Sequence, residues 1–180
     1  MAFLTDDQLD EVAGRVFARR ESTLEAEGQA LPRQDLVETV LRVRHRMNTA
    51  VETLPAGAFD PQPNDAEGKE VWSAGQIISH ICTSQLRFTE SVGELVEYTM
   101  EPDTSELVKE GALSMSDARG TIKTATVVLR QTLRAIPDDA DLTQVRATER
   151  FGELSVKGWL MLAAIHEHAH VKQLRSLVGE

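Results

Sequence analysis

One cysteine, Cys82, is all that 180 residues hold, so no intrachain disulfide can form and no cysteine-based zinc finger fits. Basic residues are also scarce: 19 Lys and Arg stand against 29 Asp and Glu, a net charge of −10. Sequence-independent nucleic-acid binding rests on neutralising phosphates, and attachment to an anionic membrane surface needs basic clusters, so both are disfavoured. The longest basic run is the pair Arg19-Arg20. No stretch approaches the ~20 apolar residues of a membrane span. The opening MAFLTDDQLDE carries acids where a signal peptide would carry a basic segment. A chain of this length buries roughly 70% of its unfolded surface and needs no staple to fold. The expectation is one acidic, soluble, cytoplasmic domain with a small-molecule substrate and neither nucleic acid nor membrane as partner.

What the sequence does hold is helical periodicity with well-marked starts. Thr5-Asp6-Asp7-Gln8 and Ser73-Ala74-Gly75-Gln76 read as capping boxes, with Leu4/Leu9 and Trp72/Ile77 as hydrophobic staples. Ser114 with Asp117 and Ser155 mark two further starts. The predicted helices cover 5–26, 33–54, 73–98, 116–136 and 155–177, with a short one at 104–111. The inward stripes are Leu36, Val40, Val43, Met47, Val51 and Leu54; then Ile77, Ile81, Ser84, Phe88 and Leu95; then Ile122, Ala125, Leu129, Leu133 and Ile136. Loops are expected at 55–71, with three prolines and two glycines, and at 99–114; a strand-like turn is conceivable only at 138–154. The fold class is all-α, a four-helix bundle over 31–180 with an N-terminal helical extension at 1–30, one domain overall.

Chemistry concentrates in the histidines. His166, His168 and His170 fall within five residues, and His45 and His80 are the other two. At ~100° per residue, Trp159, Ala163, His166, His170, Gln173 and Leu177 fall within about 40° of one another, whereas His168 lies about 180° away, on the solvent side. The same wheel turns His45 outward. His80 sits roughly 60° off its apolar stripe, still facing inward. A lone histidine on such a stripe is usually a core residue satisfied by a neighbour. An i, i+4 pair differs: two neutral imidazoles need partners for four ring nitrogens, and two imidazoliums repel. A metal resolves both problems, with a third histidine completing a three-imidazole face. Cys82 is expected to be a small buried hydrophobe.

His166-Glu167-His168-Ala169-His170 also spells H-E-x-x-H, the signature of zinc proteases. Positions 173 and 176 hold Gln and Ser where the extended signature needs Gly and His, and no strand pattern in the sequence precedes the helix to seat a peptide. The protease reading is set aside.

Taken together, Trp72-Ser73, the helix-borne His80, Gly152-Glu153-Leu154-Ser155, Trp159-Leu160 and the final His166-x-x-x-His170-x-x-Gln173 resemble the DinB/YfiT-like superfamily over about 34–178. The resemblance implies an up-down-down-up bundle, a divalent metal, usually zinc or nickel, held by His80, His166 and His170, and homodimerisation. Characterised relatives include transferases that use low-molecular-weight thiols such as bacillithiol or mycothiol. Three functions therefore stay open: a metal-dependent thiol transferase acting on electrophiles, a metal-dependent hydrolase, and a non-catalytic protein stapled by its metal. Glu167, about 80° off the ligand stripe, is a candidate general base. Gln173 is a candidate outer partner or substrate contact, and Arg44 and Arg87 are candidate anion contacts, although each also reads as a solvated surface residue. The pocket is expected from the loops at 55–71 and 99–114.

Overall fold

Hydroxyl side chains set where the helices begin. In the computed structural model, which describes residues 3–62, 71–98 and 111–179, Thr5 and Ser73 form full capping boxes at the starts of α1 (Asp6–Ala13) and α4 (Ala74–Leu95). Thr23, Ser114 and Ser155 accept from the third residue beyond them to open α2 (Leu24–Gln29), α5 (Met115–Ala135) and α6 (Val156–Ser176). Each such cap satisfies a backbone N–H that the helix itself leaves without a partner. The remaining long helix, α3 (Arg33–Thr53), follows Pro32, whose fixed φ suits the entry to a helix. The short helix expected at 104–111 falls almost wholly outside the described residues.

The all-α expectation holds, with two departures. The single N-terminal helix expected over 5–26 is broken. α1 passes into a π-helical turn at Gly14–Ala18, Arg20 adopts a left-handed conformation at φ 56°, and the chain restarts at α2 behind Thr23. The Thr23 cap was a start signal inside the predicted helix. The second departure is an antiparallel hairpin, almost wholly within the 138–154 stretch left open to a strand-like turn: β1 (Val145–Thr148) with β2 (Gly152–Ser155), registered Val145 to Ser155 and Thr148 to Gly152. Gly152 takes φ 74° at its turn, a conformation that costs glycine nothing. β1 is exposed or half-buried throughout, so it shows no alternation for a sequence reading to detect.

α6 packs against α1, α2, α3 and α4, while α5 packs against α3 and α4. The core divides into two apolar clusters. One holds Leu36, Val40 and Val43 of α3, Phe88 and Val92 of α4, Leu129 and Leu133 of α5, and Leu160, Met161 and Ile165 of α6. The other holds Met47 and Val51, Ile77 and Ile81, Ile122 and Ala125, and Val171 and Leu174 from the same four helices. Where each helix passes from one cluster to the other it carries a buried polar residue: Arg44, Gln85, Thr126, and Glu167 with His168. Burying polar groups costs free energy unless they are partnered, so this layer is where function is to be sought.

α2 reaches α6 through glycine. A Cβ on Gly28 would stand 2.5 Å from the Lys157 carbonyl oxygen and 2.9 Å from the Gly158 nitrogen. Backbone cannot yield as a flexible side chain can. Gly28→Ala is therefore expected to cost about 1–3 kcal/mol, the range for overpacking, and to loosen the N-terminal segment first. Chemical denaturation, with hydrogen exchange followed over α1 and α2, measures both effects; unchanged stability would show that the contact is slack.

Candidate metal centre

α4 and α6 bring the predicted histidines together. His80 Nε2 lies 3.0 Å from His166 Nε2, which lies 3.2 Å from His170 Nε2. Ligand atoms of all three fall within 4.8 Å of one another, and each residue is half-buried. Two nitrogens bound to one zinc at ~2.0–2.1 Å stand about 3.3 Å apart at a tetrahedral angle and about 2.9 Å apart at a right angle, so the observed separations suit a shared ion. His170 Nδ1–H donates to Gln173 Oε1 at 2.8 Å. That bond fixes the tautomer and leaves the Nε2 lone pair toward its neighbours. Trp72 packs against the His80 ring with centroids 5.2 Å apart.

Burial is the main cause that lowers all three imidazole pKa values. His170 and Arg87 add to it at His80, and His170 and His80 add to it at His166, which reaches about 4. Three neutral, desolvated imidazoles offering lone pairs to one point form a donor set that fits a divalent cation. Among the described residues this is the grouping that could hold a metal; neither Cys82 nor a carboxylate joins it. Cys82 is buried as expected, and burial pushes its thiol up to about 12.

These shifts carry a sign. Between the ordinary pKa of 6.5 and about 4, an unfolded chain binds a proton at position 166 that the folded chain refuses. Stability of the metal-free protein is therefore expected to fall as pH falls through that window, by at most about 1.4 kcal/mol per pH unit for one such group. Urea titrations of chelator-treated protein measure the slope, and His166→Gln should flatten it. Identical slopes would mean that His166 titrates normally.

The other predicted residues fare differently. His45 is exposed, as the wheel has it. His168 is not: only 3% exposed, it accepts at Nδ1 from Arg46 Nη2 (2.7 Å) and donates from Nε2 to Asp10 Oδ1 (3.0 Å). Asp10 also takes Lys172 Nζ. The wheel angle was right and the inference to solvent was wrong, because α1 covers the face of α6 opposite the ligand stripe. Arg44, read as a surface residue, is 2% exposed. It grips Glu167 through Nε to Oε1 (2.5 Å) and Nη2 to Oε2 (3.1 Å), so the candidate base sits in a buried ion pair. Arg87 is exposed.

A cleft of about 690 Å³ opens beside the triad. Its walls are α4 from His80 to Glu94, α6 from Trp159 to Glu167, and the hairpin from Arg146 to Phe151. The hairpin takes the place expected of the loops at 55–71 and 99–114, whose described residues do not line it. Arg146 of the hairpin pairs with Glu94 of α4, and both line the cleft.

Fold and site together define a helical protein with a three-histidine candidate metal centre at the head of a cleft. The chain belongs to the DinB superfamily, whose family model matches residues 39–174. No curated protein and no solved structure matches it. The matched span includes all three histidines and excludes α1 and α2, so the Asp10 partner of His168 comes from outside the shared region.

Proposed function

We propose that His80, His166 and His170 hold a divalent metal ion, zinc or nickel, and that the protein transfers a low-molecular-weight thiol to electrophilic small molecules, in the cytoplasm and as a homodimer. The convergence of three Nε2 atoms at the head of the cleft carries this reading. A divalent ion bound there supplies the charge that favours a thiolate over a thiol. The protein's own residues do the rest. Gln173 holds the His170 ring in its tautomer, Trp72 packs on His80, and Ile81, Phe88 and Leu162 make an apolar wall for the electrophile. Glu167, already engaged by Arg44, is assigned a positioning part. The sulfur forms the new bond to carbon, the leaving group departs with the bonding pair, and the thiol proton passes to solvent.

The up-down-down-up order belongs to the same proposal. α3 and α6 run from the first apolar cluster to the second, and α4 and α5 run the other way, which supports it. Three histidines with no fourth side-chain ligand among the described residues favour an open coordination position over a closed staple.

The test is metal analysis of protein purified without added metal, followed by electrophile turnover with a panel of thiols. About one ion per chain and thiol-dependent turnover are expected. Ester or amide cleavage without thiol would favour the hydrolase, and tight metal with neither activity, lost together with the helix content on chelation, would favour the staple.

A further inference from the structure

Among the described residues, six buried side-chain atoms lack a hydrogen-bond partner, and three of them belong to residues that line the cleft. Arg44 Nη1, Trp159 Nε1 and Gln85 Oε1 are each buried and unbonded, and all three residues line the cleft. Gln85 spends its Nε2 on the Ala125 carbonyl. Arg44 is the most telling. A guanidinium has five N–H donors in a planar fork. Glu167 takes the edge made by Nε and Nη2; the two N–H groups of Nη1 have no acceptor among the described residues. A buried donor without an acceptor costs about as much as a lost hydrogen bond, so such a donor on a cleft wall marks where a ligand oxygen belongs. Charge points the same way. Three neutral imidazoles leave a divalent ion's charge uncompensated, and the Arg44–Glu167 pair is neutral in itself. A thiolate offsets one unit, and an anionic oxygen within reach of Arg44 offsets the other. Arg44 and Glu167 line the same cleft as His80 and His166, so the fork and the triad share one space.

We infer that Arg44, through Nη1, anchors a carboxylate of the molecule whose sulfur engages the histidines, and so makes the site select acidic thiols over neutral ones. This rests on the metal-centre reading above. Arg44 is here a specificity residue for the ligand, and Trp159 Nε1 and Gln85 Oε1 are a further donor and acceptor along the same wall.

The probes are mercaptobutyrate and mercaptohexanoate against their neutral amides. Their chains are too long to chelate a metal well through both ends. Binding to the cobalt(II)-loaded protein is read from the sulfur-to-cobalt charge-transfer absorption. At least one acid should bind about tenfold or more tightly than its amide, the scale of one charge-assisted hydrogen bond. Arg44→Lys, which keeps the charge and removes the fork, should erase most of that preference while cobalt stays bound. Glu167→Gln, which removes the competing carboxylate, should keep the preference or raise it. Acids and amides binding alike in the wild type and in Glu167→Gln, with clear spectra for both, would overturn this inference alone and leave Arg44 as a holder of Glu167. No spectral response to any thiol, or no cobalt bound, would overturn the metal-centre reading and this inference with it.

Discussion

Alanine at His80, His166 or His170, introduced one at a time, is expected to weaken metal binding roughly a hundredfold or more. A protein zinc site with several ligands is worth ~10–16 kcal/mol, so each ligand carries a share of a few kcal/mol. The geometry makes the three equivalent in this respect, since their Nε2 atoms converge within a single ion's reach. His45→Ala and His168→Ala are the controls, and they differ from each other. His45 is exposed, and its loss should be silent. His168 spends both ring nitrogens on Arg46 and Asp10. Its removal should keep the metal yet cost about 1–3 kcal/mol of stability, because a buried polar partner is left unpaired. Chelator competition gives the affinities, and denaturant titration gives the stabilities. Loss of metal from His168→Ala as complete as from His166→Ala would show that α6 presents a different face to the ion.

Much of this is legible in the sequence alone. A cap is a local event: a hydroxyl three residues ahead of a backbone N–H suffices, so Thr5, Ser73, Ser114 and Ser155 could be read directly. The i, i+4 spacing of His166 and His170 likewise fixes their relation on any helix. What failed was the step from direction to environment. A wheel says that His168 faces away from His166; whether that face meets solvent depends on what packs there, and α1 lies more than 150 residues earlier in sequence. A signal was nevertheless present. Leu160, Met161, Ala164, Ile165 and Val171 spread apolar residues around α6 on more than one side, and a helix apolar on several faces is buried on several faces. Arg44 carried a similar signal, standing four residues after Val40 on the stripe that begins at Leu36 and so facing the core. The hairpin carried less: 138–154 reads as the one stretch open to a strand-like turn, and β1 and β2 lie almost wholly within it, but four-residue strands with a solvated outer partner lack the periodic pattern that would place them.

Arg44, which is not the surface residue its sequence suggested, joins α3 to α6 through Glu167 in the middle of the core, and breaking their pair is expected to have the largest effect on folding. Arg44→Met leaves the Glu167 carboxylate buried without its cation, and Glu167→Leu leaves a guanidinium in the same state. Each should cost about 3–5 kcal/mol, a large part of the ~5–15 kcal/mol that holds a domain of this kind folded. The double variant removes both charges and substitutes apolar volume. It should recover most of the loss, since a well-packed hydrophobic pair often matches a buried ion pair in stability. The cycle therefore predicts a strong coupling energy, readable from denaturant midpoints at constant m value. Additive losses would mean that the two groups are solvated independently. The double variant also separates stability from function. With the fold restored and the three histidines untouched, it should bind metal at nearly the wild-type level, because neither residue supplies a ligand atom. Loss of metal from a stably folded double variant would instead assign the pair the task of setting the angle of α6, on which the meeting of His166 and His170 with His80 depends.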